Sequence, residues 1–331
     1  MYQPASLFDR FFSRPLAFWV KLAVSQSLIL LPFLVAVLDG ALRDFLDQGQ
    51  WRVYFLSPTI IIYIWLISPI MNQMEMEVIK AMRPLVSLDD EAYEFLVADS
   101  SHVNPRNELL AFIVGVMLGI LSAMASGFEI NSSWLDFYWF ISTGFMYGLL
   151  IWMIYLSVAS TRLNAALHRQ QLRIDILDST QFEAVGRQSL FIALVFIGGI
   201  TLSLLFAFQP DNLTSPEFWF IYLILVLVTL LIFFLSMRPT HRVLVAEKKR
   251  ALESVQGHIN NACRALVKRL DMAQDLEVLP GEINALQVYE RRLLAARTWP
   301  YNTSMLRTLF FSVFIPLGTV LGRLMIEILF P

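Results

Sequence analysis

The chain has 331 residues, of which 57% are hydrophobic and 16% are charged, and its mean hydropathy is +0.60. Soluble domains carry about a quarter charged residues, so this composition excludes an ordinary soluble globular protein. The net charge of −2 is too small to indicate a nucleic-acid partner, and the single cysteine excludes an internal disulfide. We therefore expect an integral membrane protein whose main partner is the lipid bilayer.

Seven apolar runs are long enough to cross a bilayer, for which about 20 residues suffice. They cover residues 17–38, 53–71, 109–126, 134–158, 189–208, 218–237 and 308–330. The fold class predicted from these runs is an all-α membrane protein with seven transmembrane helices.

The basic residues indicate the orientation of these spans. Of the 25 Lys and Arg residues, 22 belong to the amino-terminal segment and to alternate connections on the same side of the membrane. Because basic residues concentrate on the cytoplasmic side, we predict an inside amino terminus and an outside carboxyl terminus. The expected location is the plasma (inner) membrane, as a multi-pass protein.

Four segments follow from this topology. They are a cytoplasmic interfacial segment (1–16), a six-helix transmembrane region (17–237) with cytoplasmic helical loops (72–107 and 161–188), a cytoplasmic helical hairpin (238–303) and a carboxyl-terminal seventh transmembrane helix (304–331). The cytoplasmic helices are expected to form a bundle below the membrane.

Pairs of glycines four residues apart recur in three of the predicted spans. The pairs are Gly115 with Gly119, Gly144 with Gly148, and Gly318 with Gly322. Two small residues at this spacing leave one face of a helix open to a close neighbour. The pattern therefore predicts tight helix packing.

The segment after the sixth span has a heptad pattern. Its apolar residues at this spacing are Val245, Leu252, Ile259 and Leu266. A seven-residue repeat is typical of helices that pack along a seam, so we expect these residues to support self-association. A turn is predicted at residues 279–281, and a second helical stripe follows it.

The last span has a polar stripe on one side. Within an arc of about 140° on a helix lie Ser304, Thr308, Ser312, Thr319, Arg323 and Glu327. Phe311 and Ile315 interrupt this arc near its middle. A polar face within a bilayer must be covered by neighbouring helices or by water, and the sequence leaves both alternatives open.

The sequence contains no recognisable catalytic motif. No Gly-rich phosphate loop or Ser/His/Asp set is present, and the four histidines share no metal-ligand spacing. We expect these histidines to be solvated. No ionisable residue lies near the middle of a predicted span, which argues against proton-coupled transporters and intramembrane hydrolases. We expect no enzymatic activity, no metal and no cofactor.

Three stretches resemble an uncharacterised group of bacterial seven-span membrane proteins: residues 174–178, 241–250 and 298–301. In its topology the chain also resembles the insect odorant and gustatory receptor superfamily of seven-span ligand-gated ion channels. That resemblance implies a homotetramer held together by its cytoplasmic helices, with the last helix lining a pore.

Two hypotheses follow. In the first, the protein is a homo-oligomeric, channel-like or receptor-like membrane protein. Its pore would be lined by Ser304, Thr308, Ser312 and Thr319, gated by Phe311 and Ile315, and flanked at the outer mouth by Arg323 and Glu327. In the second, it is a non-conducting membrane scaffold or sensor whose hairpin binds a cytoplasmic protein partner.

Overall fold

A computed structural model of the chain describes residues 18–47, 51–125, 133–170, 172–207, 216–272 and 279–329. These residues are overwhelmingly helical. The α-helices within them are α1 (Phe18–Leu38), α2 (Leu42–Asp47), α3 (Trp51–Met82), α4 (Asp90–Ser100), α5 (Pro105–Ala125), α6 (Trp134–His168), α7 (Glu183–Ala207), α8 (Pro216–Asp271), α9 (Leu279–Ala295) and α10 (Thr303–Leu329). The predicted interfacial segment 1–16 lies outside the described residues.

Five helical stretches in the described residues are long and apolar enough to cross a membrane. They are Trp51–Leu85, Asp90–Ala125, Trp134–His168, Glu183–Phe206 and Leu223–Asp271. The protein is therefore a multi-pass membrane protein, and the middle five of the predicted spans coincide with these stretches. The first and last predicted spans are also helical, as α1 and α10, although the apolar stretches found in them are shorter, Leu22–Leu38 and Thr303–Pro316. The count of seven spans and their orientation remain predictions.

Helices α5 and α6 pack closely against each other in the membrane region. A Cβ atom placed on Gly115 would lie 2.5 Å from the carbonyl oxygen of Tyr147 and 2.7 Å from the Cα atom of Gly148. A Cβ atom on Gly119 would lie 2.8 Å from the Cα atom of Gly144. The close packing predicted from these two glycine pairs is confirmed, because each pair faces the other across the contact.

The third glycine pair is placed differently. A Cβ atom added to Gly318 or Gly322 would meet no described atom within 4 Å. Within the described part of one chain, α10 therefore has no neighbour against this pair. The helix instead packs against α7 through Met305 and Leu309, which are nearly fully buried.

At one end of the molecule, the ends of the long helices α3 and α6 and part of α8 form a bundle with the shorter helices α4 and α9. Its hydrophobic core includes Met82 from α3, Leu167 from α6, Phe182 from the turn before α7, and Leu293 from α9. Val86 and Leu172 also form an antiparallel backbone bridge that joins the two loops there. The helical extensions therefore pack together as expected, while their location below the membrane stays a prediction. We call this end of the molecule the hairpin end.

The hairpin itself is built from α8 and α9, which pack side by side. Helix α8 runs without interruption from the membrane region to Asp271 over 56 residues. The turn predicted at residues 279–281 is wrong, because α9 begins at Leu279. Pro280 lies in the first turn of that helix, where a proline is tolerated because the backbone N–H it lacks would have no helical acceptor. Residues 273–278, between α8 and α9, lie outside the described ranges.

The four heptad residues do not all face the same surroundings. Leu252 and Ile259 are partly buried against the core of the bundle at the hairpin end, to which the buried Val255 of α8 also belongs. Val245 is 42% exposed, while its neighbour Leu244 is buried. Leu266 is half-buried. Part of the predicted seam is thus used within one chain, and self-association through these residues remains a prediction.

Candidate functional site

The polar stripe of α10 divides between two environments. Ser304 and Thr308 are exposed, whereas Ser312 is 3% exposed and lies on the side that faces α7. The hydroxyl of Ser312 donates a hydrogen bond of 2.8 Å to the carbonyl oxygen of Leu309 in its own helix. The stripe is therefore open at its beginning and covered by the same chain one turn later.

The two predicted gate residues are exposed in the single chain. Phe311 is 59% exposed and Ile315 is 54% exposed. The guanidinium of Arg307 lies 5.9 Å from the ring centroid of Phe311, within the range of a cation–π contact. The side chains of the remaining stripe residues, Thr319, Arg323 and Glu327, lie outside the part of the chain that the structure describes.

A cavity of about 420 Å³ lies between α3, α6 and α7, next to the turn that joins α4 to α5. We call it the three-helix cavity. One part of its wall is apolar and aromatic, formed by residues that include Ile64, Trp152, Leu156 and Phe191. Its other part, toward the hairpin end, is polar and includes Asn72, Glu75, His102, Ser160 and Arg162. This combination is typical of a site for an amphipathic small molecule.

Beside this cavity lies a buried carboxylate. Glu108, in the first turn of α5, is 0% exposed, and Nε1 of Trp152 donates a 2.8 Å hydrogen bond to its Oε1 atom. Burying a carboxylate without hydrogen bonds is costly, so the indole stabilises this arrangement. The sequence places Glu108 at the start of a span, where an acid favours the helix amino terminus, but it gives no sign of the burial.

A chain of buried polar groups leads from the cavity wall to α8. Gln188 lines the cavity and accepts a 3.2 Å hydrogen bond from the side-chain amide of Asn164. The backbone oxygen of Asn164 pairs with Nδ1 of His168, and Nε2 of His168 lies 2.8 Å from the hydroxyl of Thr240 in α8. The expectation that the histidines are solvated is wrong for His168, which is 6% exposed. We call Gln188, Asn164, His168 and Thr240 the polar relay.

A second polar contact holds α7 against α8. The hydroxyl of Ser236 donates a 2.6 Å hydrogen bond to the hydroxyl of Ser189, and both side chains are buried. Satisfied buried polar contacts of this kind fix the relative position of packed helices. Together with the polar relay, this contact ties α8 to α6 and α7 just before α8 enters the hairpin.

The base of the hairpin is held by a third set of contacts. The ring of His241 stacks on Trp299 with a centroid distance of 3.8 Å, and its Nδ1 atom lies 2.9 Å from the carbonyl oxygen of Thr298. The ammonium of Lys248 donates hydrogen bonds to the carbonyl oxygens of Leu294 and Ala296, at 2.7 and 2.8 Å. A cation at these carbonyls caps the carboxyl end of α9, where the helix leaves them without partners.

Comparison of the chain with protein-family models, with curated proteins and with solved structures found no match. The class that the fold defines is a multi-pass, all-helical membrane protein with a helical bundle at the hairpin end.

Proposed function

We propose that the protein is a membrane sensor whose hairpin communicates the state of the transmembrane helices to a cytoplasmic protein partner. In this proposal the hairpin end lies in the cytoplasm, as the distribution of Lys and Arg predicts, and the protein resides in the plasma membrane. The observation that supports it is the polar relay, because this relay connects a cavity among the spans to the helix that forms the hairpin.

The exposed surface of the hairpin supports a role in binding. Val267 and Leu270 of α8 are 56% and 55% exposed, and Val288 of α9 is 46% exposed. Val267 and Leu270 lie three residues apart on α8 and therefore share a face of the helix, and a contiguous exposed apolar face is common where proteins meet. The hairpin therefore offers a surface for a partner, and helix α8 connects that surface to the membrane region.

We expect Thr240→Val to release α8 from the bundle. Valine keeps the shape of threonine but removes the hydroxyl, so that Nε2 of the buried His168 loses a partner at a cost of about 1–3 kcal/mol in the free energy of unfolding. A spin label on the native Cys263, which is exposed on α8, and a second label on Glu94→Cys report the position of the hairpin. The distance distribution between the two labels should broaden in Thr240→Val.

The matched control is Thr229→Val in the same helix. Thr229 is also buried, but its hydroxyl donates a 2.8 Å hydrogen bond to the carbonyl oxygen of Leu225 within α8 itself. This control should leave the label distances as they are in the unaltered protein. If Thr240→Val also leaves them unchanged, the polar relay does not position the hairpin and the sensor proposal loses its support.

A homo-oligomeric channel is the second candidate, and one observation favours it. Ser304, Thr308, Phe311 and Ile315 are all exposed in the single chain, and the open face of Gly318 and Gly322 lies on the same helix. Hydroxyl groups are poorly accommodated by lipid, so a second copy or a column of water would cover this part of α10. In a homotetramer, the α10 helices would surround a pore.

For this candidate we expect that replacing both Phe311 and Ile315 with serine raises the basal conductance of the protein in planar bilayers. The physical reason is that a constriction of apolar side chains closes a pore by excluding water, and two hydroxyl groups would let water in. The control is Phe310→Ser with Phe314→Ser, at exposed positions outside the predicted stripe. Equal conductance of the two double variants, at the same assembled mass, would rule out this gate.

A further inference from the structure

We propose that the three-helix cavity binds a single-chain zwitterionic amphiphile, such as a lysophospholipid, taken from the membrane leaflet at the hairpin end. This inference names the stimulus of the proposed sensor and in that respect rests on the proposed function. The binding experiment below tests the site by itself, and only the label-distance experiment that follows it depends on the sensor. Three observations support the inference: the volume of the cavity, the separation of its apolar and polar walls, and the charges at its polar end.

The volume indicates the size of the ligand. About 420 Å³ lies in the lower part of the 300–1,000 Å³ range that small-molecule pockets occupy. A molecule with one apolar chain suits this volume better than a phospholipid with two. The cavity also lies between three of the helices that are long and apolar enough to cross the membrane, so the bilayer is the nearest source of such a chain.

The separation of the walls indicates an amphipathic ligand. The aromatic and aliphatic residues, among them Trp152 and Phe191, lie on the membrane side, and the polar residues lie on the side that leads to the turn between α4 and α5. The chain of the ligand would contact Trp152 and Leu156. Its headgroup would then reach the polar side chains of α3 and α6.

The charges at this end indicate the headgroup. Glu75 on α3 and Arg162 on α6 both line the cavity, and His102 lies on the neighbouring turn. A guanidinium binds a phosphate group well because its planar N–H donors match two phosphate oxygens. A carboxylate favours a nearby ammonium. One side chain of each charge therefore suits a headgroup that carries both a phosphate and an ammonium.

Ligand binding in the three-helix cavity would affect the hairpin through the polar relay. Gln188 lines the cavity and belongs to the polar relay that ends at Thr240 in α8. A ligand that contacts the Gln188 amide would compete with Asn164 for it. Binding would then alter the same contacts whose loss is tested by Thr240→Val.

The experiment measures retention of two lauroyl amphiphiles by the purified protein in nanodiscs, using native mass spectrometry. The probes are lauroyl lysophosphatidylethanolamine, which is zwitterionic, and monolauroylglycerol, which has the same chain and no charge. The unaltered protein should retain one equivalent of the lysophospholipid and bind it at least tenfold more tightly than monolauroylglycerol. Ala159→Phe, which fills the cavity, should reduce this affinity at least tenfold.

The matched control is Val158→Phe, one residue earlier on α6. Val158 is 44% exposed and does not line the cavity, whereas Ala159 does, so this variant should bind as the unaltered protein does. If Ala159→Phe does not fold, Ser160→Leu fills the same cavity with a smaller side chain. Equal retention by the cavity-filling and control variants would overturn the assignment of the cavity. A preference for the lysophospholipid that survives both Glu75→Gln and Arg162→Gln would overturn the assignment of the headgroup.

The second readout separates this inference from the proposed function. The lysophospholipid should shift the distance between the labels at Cys263 and Glu94→Cys, and the shift should be absent in Ala159→Phe. Specific binding without any shift would overturn the sensor while supporting the cavity as a binding site. Absence of binding, with a normal effect of Thr240→Val on the labels, would overturn the binding site alone.

Discussion

Replacing Trp152 with alanine should lower the free energy of unfolding by about 3 kcal/mol, measured by titration with dodecyl sulfate in mixed micelles. Truncation of a buried aromatic residue to alanine costs about 3–5 kcal/mol in soluble proteins. Trp152 is 1% exposed and belongs to a core that includes Ile64, Leu149 and Val195. We expect the low end of the range, because lipid is as apolar as the core and the loss is mainly that of packing.

A milder variant separates the packing of Trp152 from its hydrogen bond. Trp152→Phe keeps a ring but removes the Nε1 donor, so the buried carboxylate of Glu108 loses the 2.8 Å bond, at a cost of about 1–3 kcal/mol. Trp134→Phe is the control, since Trp134 is 66% exposed and its change should have almost no effect. Equal stabilities of these two phenylalanine variants would show that the bond between Trp152 and Glu108 contributes nothing.

The second large effect is expected from adding one carbon atom to Gly115. Gly115→Ala would place its Cβ atom 2.5 Å from the carbonyl oxygen of Tyr147 and 2.7 Å from the Cα atom of Gly148. These are backbone atoms, which cannot avoid the clash by a change of rotamer as a side chain can. Helices α5 and α6 must therefore separate. Overpacking of this kind costs about 1–3 kcal/mol, and we expect a loss of about 2 kcal/mol in the same dodecyl sulfate titration.

Gly144→Ala provides the control for that variant on the opposite helix. Its added Cβ atom would lie 3.5 Å from a side-chain carbon of Ile120, which is an ordinary contact. Both variants gain the same helix propensity, about 1 kcal/mol, so their difference reports the steric clash. A Gly115→Ala variant as stable as Gly144→Ala would contradict the close approach of α5 and α6.

Much of the fold follows from patterns that lie within single segments. The middle five spans were predictable because an apolar run of sufficient length has few alternatives to a membrane helix. The contact between α5 and α6 was predictable from its glycines, because a missing Cβ atom is a local property that determines how closely a neighbour can pack. The turn before α9 was misplaced because a proline followed by a glycine is compatible both with a turn and with a helix start.

The candidate site was less predictable, because its parts are brought together from distant segments. Asn164, His168 and Thr240 are separated by up to 76 positions in the sequence, and nothing in their own neighbourhoods distinguishes them from solvated polar residues. The helical spacing of the polar residues on α10 predicted that they form one stripe. The sequence does not state which turn of that helix is covered by α7. Ser312 is consequently buried, while Thr308 is exposed. For the same reason the three-helix cavity had no signal in the sequence.

The length of α8 has a mechanical consequence. The 31 residues from His241 to Asp271 extend about 46 Å beyond Thr240 at 1.5 Å per residue, so a tilt of about 5° at that point would displace the far end by about 4 Å. Pro239 lies at the same level and cannot donate a backbone hydrogen bond to the carbonyl of Leu235, which makes a helix easier to bend there. A small change in the tilt of α8 at the His168–Thr240 contact would thus move the far end of the hairpin by several ångströms.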